Sequence, residues 1–273
     1  MCGRFAQYRI PWEYLEPIGL DIPVIGGVDP DPINRYNVAP RSKVRILHQD
    51  PDGLRWDLVP WGWEPFWATG KRPPAINARG ETAATGKFFS AIWKTGRCLI
   101  PADGWYEWVK DADDPRHKQP YYIHRRDKQP MYFAGIGQFR RDGSEAKDGD
   151  GFVIITADSD QGMVDIHDRR PVMLSAETAA DWLNPDLLPH EAGSLVTDKA
   201  GPVGAFEWHT VGREVVNVRN EGPALIRLQC ALSHSQTSGM VGAAMVSVPS
   251  AALDRTQPVS HGAVAGRLHA RHQ

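Results

Sequence analysis

The chain has 273 residues, of which 41% are hydrophobic and 23% charged, so it has the composition and length of a globular protein with a sizeable core. Its net charge of −2 excludes a uniformly basic surface, and any polyanion-binding face must be local. Three cysteines without a Cys-x-x-Cys pair argue against a disulfide framework or zinc site. No apolar run approaches the length of a membrane span. We therefore expect a cytoplasmic protein without a metal or other cofactor.

Short apolar segments broken by Pro, Gly and Asp continue to about residue 228 and predict many strands. The turn at 50–53 between segments 44–47 and 54–60 indicates a hairpin. Later strands are predicted at 97–109, 121–125, 131–139, 152–156, 170–174, 205–211 and 214–218. Two helices are predicted, at 88–94 and at 176–183 with Ser175 as N-cap. This pattern predicts an α+β fold with one β-rich domain over residues 2–228.

The last part of the chain has a different composition. Ser, Ala, Gly, His and Val dominate after Cys230, and aromatic residues are absent. We expect residues 229–273 to form a disordered tail that takes no part in the chemistry.

Basic residues are concentrated at three places in the first hundred positions. One group is Arg4 with Arg9, and another is Arg41 with Lys43 and Arg45. The largest has six members around a single acid, Glu81: Lys71, Arg72, Arg79, Lys87, Lys94 and Arg97. Solvated surface charge is the simplest interpretation, and a polyanion-binding face is the alternative.

Cys2 is the first candidate reactive residue. Initiator methionine is generally removed before a small side chain, so the mature chain is expected to begin with Cys2 and to carry a 1,2-aminothiol. Its amine and thiol, with reference pKa values of about 8 and about 8.5, are both partly deprotonated near neutral pH. The amine can condense with an aldehyde, and the thiol can then close a thiazolidine ring. The alternative is a cysteine that occupies position 2 by chance.

Four aromatic rings crowd into eight residues of a loop rich in Pro and Gly: Trp61, Trp63, Phe66 and Trp67. Rings on a loop cannot all be core, so some could stack on exposed bases while Arg79 and Lys87 contact phosphates. For any one ring, a buried role beneath the loop is the alternative.

Two titratable residues stand in distinctive surroundings. Glu107 lies between apolar rings that could desolvate its carboxylate and suit it to proton transfer, unless it is a solvent-facing strand residue. His167 is flanked by carboxylates and arginines and could act as acid or base, although a structural histidine is the commoner case. The other histidines have no metal-ligand spacing.

Six motifs join these features in one order: Cys2-Gly3-Arg4-Phe5, Tyr36-Asn37-Val38-Ala39-Pro40, Trp61-Gly62, Asn77-Ala78-Arg79 with Glu81-Thr82, Asp103-Gly104-Trp105-Tyr106-Glu107-Trp108 and His167-Asp168-Arg169-Arg170-Pro171. Together they resemble the SOS-response-associated peptidase family of bacterial and eukaryotic abasic-site processing proteins, and bacterial members are the most similar. The resemblance runs from Cys2 to about Leu228.

This resemblance implies a curved, barrel-like β core and a covalent DNA-capturing enzyme, with possible autopeptidase and abasic-site lyase activity. Cys2 would form a thiazolidine with the ring-opened abasic sugar once Met1 is removed. Asn77 would hold the linked Cys2, Glu107 would manage protons at its α-amine, and His167 would help to open the sugar and to reverse the linkage.

The resemblance also implies a basic groove for single-stranded DNA containing abasic sites, on a monomer that associates with the nucleoid when bound to DNA. Its DNA-binding residues would be phosphate contacts and residues that shape the groove: Arg4, Asn37, Pro40, Trp67, Arg79 and Lys87.

Two positions depart from the family pattern. Lys87 replaces an arginine and loses the bidentate phosphate geometry, and Phe66-Trp67 replaces a tryptophan pair. An N-terminal-nucleophile amidohydrolase or peptidase is an alternative function, because such enzymes also mature to an N-terminal Cys-Gly. A non-catalytic single-strand-binding module is a third, and it would need the groove but not Cys2.

Overall fold

The computed structural model describes residues 2–229 except 112, 113, 115, 141–143, 145, 160, 199 and 200, so the expected tail lies outside the described residues apart from Gln229. The strands of this part are β1 Phe5–Gln7, β2 Val24–Ile25, β3 Arg35–Val38, β4 Lys43–Asp50, β5 Gly53–Pro60, β6 Asn77–Arg79, β7 Arg97–Ala102, β8 Gly104–Lys110, β9 Lys118–Arg125, β10 Met131–Gln138, β11 Gly151–Asp158, β12 Arg169–Pro171, β13 Met173–Leu174 and β14 Phe206–Thr210.

The helices of the same part are short. The α-helices are α1 Pro11–Leu15, α2 Gly80–Ala83, α3 Ser90–Thr95, α4 Ala176–Leu183 and α5 Pro189–Asp198. Single turns of 3-10 helix occupy Glu16–Ile18, Phe66–Ala68, Gln161–Asp165, Val203–Ala205, Arg213–Val216 and Pro223–Ile226. No helix of the described residues is long and apolar enough to cross a membrane.

The strands form two sheets. The first has the order β14-β9-β8-β1-β3 and is antiparallel throughout. The second has the order β12-β11-β10-β7-β4-β5-β2, with β13 paired to β10 and β6 paired to β11. Its pairs β2–β5 and β6–β11 are parallel and the others antiparallel. The sheets curl around a shared core without closing, which confirms the β-rich α+β fold.

Three apolar clusters hold these layers together. The first packs helices α1 to α5 against the outer face of the second sheet. The second lies between the two sheets and contains Cys2. The third covers the outer face of the first sheet with residues 211–226. A position between the sheets is therefore shielded from water on both sides, and this is where the amino end of the chain enters.

The predicted hairpin and one predicted helix are confirmed. Strands β4 and β5 pair up to Asp50 opposite Gly53, and the Asp50 carboxylate accepts the N–H groups of Asp52 and Gly53 inside the turn. Helix α4 begins after Ser175, whose hydroxyl accepts the N–H of Thr178 at 3.2 Å. The helix predicted at 88–94 is α3, displaced to Ser90–Thr95.

The single strand predicted at 97–109 is wrong, because the chain changes sheets at Asp103. Strand β7 belongs to the second sheet and β8 to the first. The buried Asp103 carboxylate accepts the N–H of Tyr8 at 2.7 Å, Nε of Arg9 at 2.6 Å and the hydroxyl of Tyr14 at 2.5 Å. These three donors stabilise a buried charge at the crossing, which strand alternation does not reveal.

The strand predicted at 214–218 is also wrong, because this segment is the 3-10 helix Arg213–Val216 and a turn. The side-chain amide of Asn37 donates to the carbonyl oxygens of Val215, Asn217 and Asn220 at 3.0–3.2 Å. A strand rises about 3.3 Å per residue and would separate the first and last of these carbonyls by about 16 Å, so one amide could not bind all three.

Candidate active site

Cys2 is fully buried between the two sheets, and a hydrogen bond ties it to the second sheet. Nδ2 of Asn77 donates to the carbonyl oxygen of Cys2 at 2.9 Å. Asn77 opens β6, which is fixed against β11 by parallel pairing with Ile154. The amide therefore holds the amino end of the chain at a defined depth in the core.

The Cys2 thiol is kept in its protonated form. Burial raises its pKa well above the ordinary value, and the nearby carboxylate of Glu107 raises it further. The positive charge at the amino terminus and the N–H of Arg4 lower the pKa, but by less. Any reaction at this sulfur must therefore move the S–H proton as the new bond forms.

Glu107 reaches the same core from the first sheet. Its strand β8 alternates, so Tyr106 packs in the outer cluster while Trp105 packs between the sheets. Only 3% of Glu107 is exposed, so its interpretation as a solvent-facing residue is wrong. Burial raises the pKa of Glu107 to about 7, against the charge of the amino terminus and with a smaller contribution from Asp168. This carboxyl group exchanges a proton readily near neutral pH.

His167 faces Glu107 across the site. Its Nε2 lies 4.0 Å from Oε2 of Glu107. Its Nδ1 accepts the N–H of Arg169 at 2.9 Å and lies 2.7 Å from Oδ1 of Asp168. Burial is the largest cause of the lowered pKa of His167, and the amino-terminal charge acts in the same direction. The contacts with Arg169 and Asp168 are both made by Nδ1, so Nε2 is the ring nitrogen that faces Glu107.

The loop that carries His167 is anchored by an ion pair that the sequence interpretation missed. Arg169 donates to both carboxylate oxygens of Glu81, at 2.8 Å and 3.0 Å, and to the carbonyl oxygen of Thr156 at 2.6 Å. A signal was present, because Glu81 is the single acid within the basic run from position 71 to 97. A lone acid among cations is better explained by a specific partner than by solvation.

Arg4 and Asn37 contact each other and lie beside the reactive segment. One terminal nitrogen of Arg4, Nη1, donates to Oδ1 of Asn37 at 2.7 Å and to the carbonyl oxygen of Val215 at 2.8 Å. The guanidinium also lies over the ring of Trp108, with Cζ 5.6 Å from its centroid. Asn37 is buried and its amide is fully engaged. Its direct role here is therefore to position Arg4 and the segment around Val215.

The aromatic loop divides into buried and exposed rings. Trp61 and Trp63 are core residues, as the alternative interpretation held for single rings. Phe66 is 89% exposed and Trp67 50% exposed. Phe88, which is partly buried, supports Trp67, because the two rings meet edge-on with centroids 5.4 Å apart. Both exposed rings are thus presented to solvent, and Trp67 rests on a second aromatic ring.

The remaining DNA-binding candidates lie at the surface, and two other basic residues do not. Arg79 and Lys87 are exposed, and Pro40 is half-buried at the turn after β3. Arg9 instead pairs with Asp103, and the buried Arg97 donates to the carbonyl oxygens of Trp182 and Asn184. Neither Arg9 nor Arg97 belongs to a polyanion-binding face.

Metal chemistry finds no support in the part of the chain that the structure describes. No three His, Cys, Asp or Glu side chains there are placed to hold a metal ion. The ionisable groups of the site are instead a thiol, a carboxyl and an imidazole, which together with an amine suit covalent and acid–base chemistry.

This fold and site define a class of protein. The family model described as SOS response associated peptidase (SRAP) matches residues 1–218, and the chain therefore belongs to that family. Among its relatives, the Escherichia coli K12 abasic site processing protein YedK is 46% identical over 229 residues, which cover 83% of this chain and 99% of YedK. The mouse abasic site processing protein HMCES is 27% identical, over 69% of this chain and 63% of HMCES.

Solved structures share the same fold. A phage-related protein of Bordetella bronchiseptica is 38% identical, with a TM-score of 0.65 over 78% of this chain and 95% of that protein. A Bacteroides thetaiotaomicron protein has a TM-score of 0.66 at 23% identity, over 84% of this chain and all of that protein. The second likeness concerns the fold alone.

Proposed function

We propose that this protein captures abasic sites in single-stranded DNA by forming a covalent thiazolidine between Cys2 and the aldehyde of the lesion. The observation that carries the proposal is a cysteine at the second position, buried beside a carboxyl group whose pKa is about 7. The relatives named as abasic site processing proteins support the substrate. The adduct would shield the lesion during the response to DNA damage.

The reaction requires the α-amine of Cys2, and therefore the removal of Met1. The amine nitrogen adds to C1′ of the ring-opened sugar, one water leaves, and an imine forms. Sulfur then attacks the imine carbon while the S–H proton moves to nitrogen. The products are one thiazolidine and one water, without oxidation or reduction. Ring closure is intramolecular, so proximity accelerates it.

Glu107 and His167 are proposed to move the protons. The Glu107 carboxylate would take a proton from the attacking amine and return it to the departing hydroxyl, which a group with a pKa near 7 can do in both directions. His167 would donate from Nε2 to the sugar ring oxygen as the aldehyde is unmasked. Asn77 would keep Cys2 in place through its 2.9 Å hydrogen bond during these steps.

DNA binding is proposed to use the exposed rings and cations around this pocket. Trp67 would stack on an unpaired base, and Pro40 would shape the groove beside it. Arg79 and Lys87 would bind phosphates directly. Arg4 would also bind a phosphate, held in place by its hydrogen bond to Asn37. Stacking needs exposed base faces, so single-stranded DNA is the expected substrate and an uninterrupted duplex is not.

Two further activities are proposed for this protein. The imine acidifies the C2′–H bond of the sugar, so loss of that proton with departure of the 3′ phosphate would cleave the strand by β-elimination, as a minor lyase activity whenever ring closure is slow. Hydrolysis of the Met1–Cys2 peptide bond, which consumes one water and releases methionine, would be the peptidase step, carried out by the protein on itself.

The amidohydrolase alternative has less support. The relatives reported above are named as abasic site processing proteins, which favours capture of the lesion. We expect no release of ammonia from glutamine.

Incubation with an abasic single-stranded oligonucleotide tests the proposal. An adduct that survives denaturation is expected from protein lacking Met1, and none from protein that retains Met1 or from intact DNA. Equal crosslinking by the methionine-retaining protein would overturn the amine chemistry.

A further inference from the structure

Arg41 has a backbone conformation that arginine seldom adopts. Its φ is 70°, in the left-handed region, which only two other non-glycine residues of the described chain occupy, Asn34 and Lys128. Asparagine tolerates this region because its short side chain bonds locally, whereas arginine gains nothing comparable. Glycine would adopt it without steric cost.

The turn that holds Arg41 is fixed to the wall of the site. The N–H of Arg41 donates to the carbonyl oxygen of Trp61 at 2.8 Å, and the N–H of Trp61 donates to the carbonyl oxygen of Ser42 at 2.9 Å. Within the turn, the Ser42 hydroxyl donates to the carbonyl oxygen of Ala39 at 2.7 Å. Trp61 is buried in the cluster that contains Cys2, against the ring of Phe5. The strained residue is therefore rigidly placed.

The Arg41 side chain has no protein partner to explain it. It is exposed, and it makes no ion pair, side-chain hydrogen bond or ring contact with any other residue that the structure describes. Arg9 and Arg169, by contrast, each bind a carboxylate. Lys128, the other basic residue with positive φ, pairs with Glu207. Backbone strain that no local contact offsets is characteristic of functional positions.

We propose that Arg41 is a further phosphate contact, displayed by this rigid turn next to Pro40 and used to hold the DNA strand as it enters the site. The inference rests on the proposed function. A guanidinium suits a backbone phosphate, because its planar fork binds two oxygens at once. The contact would be independent of base sequence, and the rigid turn would limit the loss of freedom on binding.

The substitution Arg41→Gly separates strain from binding. Because glycine relieves the left-handed conformation, we expect the melting temperature to stay the same or to rise by up to about 4 °C. Affinity for an intact single-stranded oligonucleotide should fall about fivefold near 0.1 M salt, and the slope of log K against log salt should shrink by about 0.7. Arg41→Lys should retain the slope.

Lys128→Gly is the matched control, since it removes one positive charge at a left-handed position, with φ 59°, in the turn between β9 and β10. It should leave the DNA salt slope unchanged. If Arg41→Gly also has the wild-type slope, the phosphate contact is overturned even though abasic capture continues. Failure of the wild-type protein to crosslink abasic DNA would overturn the proposed function instead, and binding of intact oligonucleotide would still test Arg41.

Discussion

Glu107 and His167 approach each other with Oε2 and Nε2 4.0 Å apart, although they come from different parts of the chain. Burial moves their pKa values in opposite directions, up to about 7 for Glu107 and down for His167. Near neutral pH the carboxyl group is thus about half ionised and the imidazole is mostly neutral. The pair can give and take one proton with little free-energy cost, which suits a reversible covalent reaction.

Burial of Glu107 predicts a pH-dependent stability difference. Its pKa rises from 4.5 to about 7 on folding, and each unit corresponds to about 1.4 kcal/mol. The neutral form is favoured in the folded state, so its contribution is fully present below pH 4.5 and is lost as the pH rises to 7. Glu107→Gln should therefore be more stable than wild type by about 3 kcal/mol above pH 7 and equal to it below pH 4.5.

Denaturant unfolding from pH 4 to pH 8 measures this difference. Glu177→Gln is the control, because it removes one carboxylate from an exposed position at the start of α4. A constant difference between wild type and Glu107→Gln across the range would contradict a raised pKa.

The same residues should set the rate of capture. Glu107→Gln and His167→Ala keep the amine and the thiol but lose proton transfer, typically worth about 10²–10⁴-fold. Both should slow formation and reversal of the adduct without changing the linkage or the mass that the protein gains. In wild type, the rate should rise with pH through about 7 as Glu107 ionises, and Glu107→Gln should lose that inflection. Time courses of denaturation-resistant adduct formation measure these rates. A wild-type rate for Glu107→Gln would contradict a role of Glu107 in proton transfer.

Cys2→Ala should change the product instead. The variant still presents an α-amine once Met1 is removed, so it should form an imine that borohydride traps. Without sulfur the ring cannot close, and strand cleavage should increase. Cys98→Ala is the matched control, because Cys98 is another buried cysteine and should leave the thiazolidine intact. A stable, borohydride-independent adduct from Cys2→Ala would show that sulfur is not the linking atom.

Glu81 should act by positioning His167. Glu81→Gln removes the charge that Arg169 binds at 2.8 Å and 3.0 Å and should loosen the loop after β11. The Glu81 side chain is 42% exposed, so the stability loss should stay below about 1 kcal/mol. Capture should nevertheless slow, and the pH–rate profile should shift because His167 loses its orientation. Glu177→Gln, an exposed acid at the start of α4, should change neither. An unaltered pH profile in Glu81→Gln would reduce the pair to a structural role.

The sequence predicted local features best. The hairpin between β4 and β5 and the cap of α4 depend on neighbours within a few positions, so their residues carry the information. The sheet change at Asp103 depends on donors from Tyr8, Arg9 and Tyr14, far away in the chain. Apolar residues continue on both sides of the change, and no local pattern marks it.

The candidate site was indicated by the family resemblance, because no spacing rule connects Cys2, Asn77, Glu107 and His167. Their roles stay predictions, whereas the structure shows how the first pair and the last pair come together. The charge pattern placed Arg97 in a basic surface group, whereas this side chain is buried against the end of α4. The pattern also did not predict the partner of Glu81, because tertiary packing determines which charged residues pair.

The change of sheet at Asp103 has a consequence for how the protein acquires activity. Glu107 is carried by one sheet and Asn77 by the other, and Cys2 lies in the seam between them. No hairpin or isolated layer could assemble the centre by itself, and contacts between such distant positions form late and slowly. Before folding, an aminothiol exposed by removal of Met1 would react with aldehydes without the proton transfer proposed for Glu107 and His167. Accelerated capture would therefore begin only when the native state has formed.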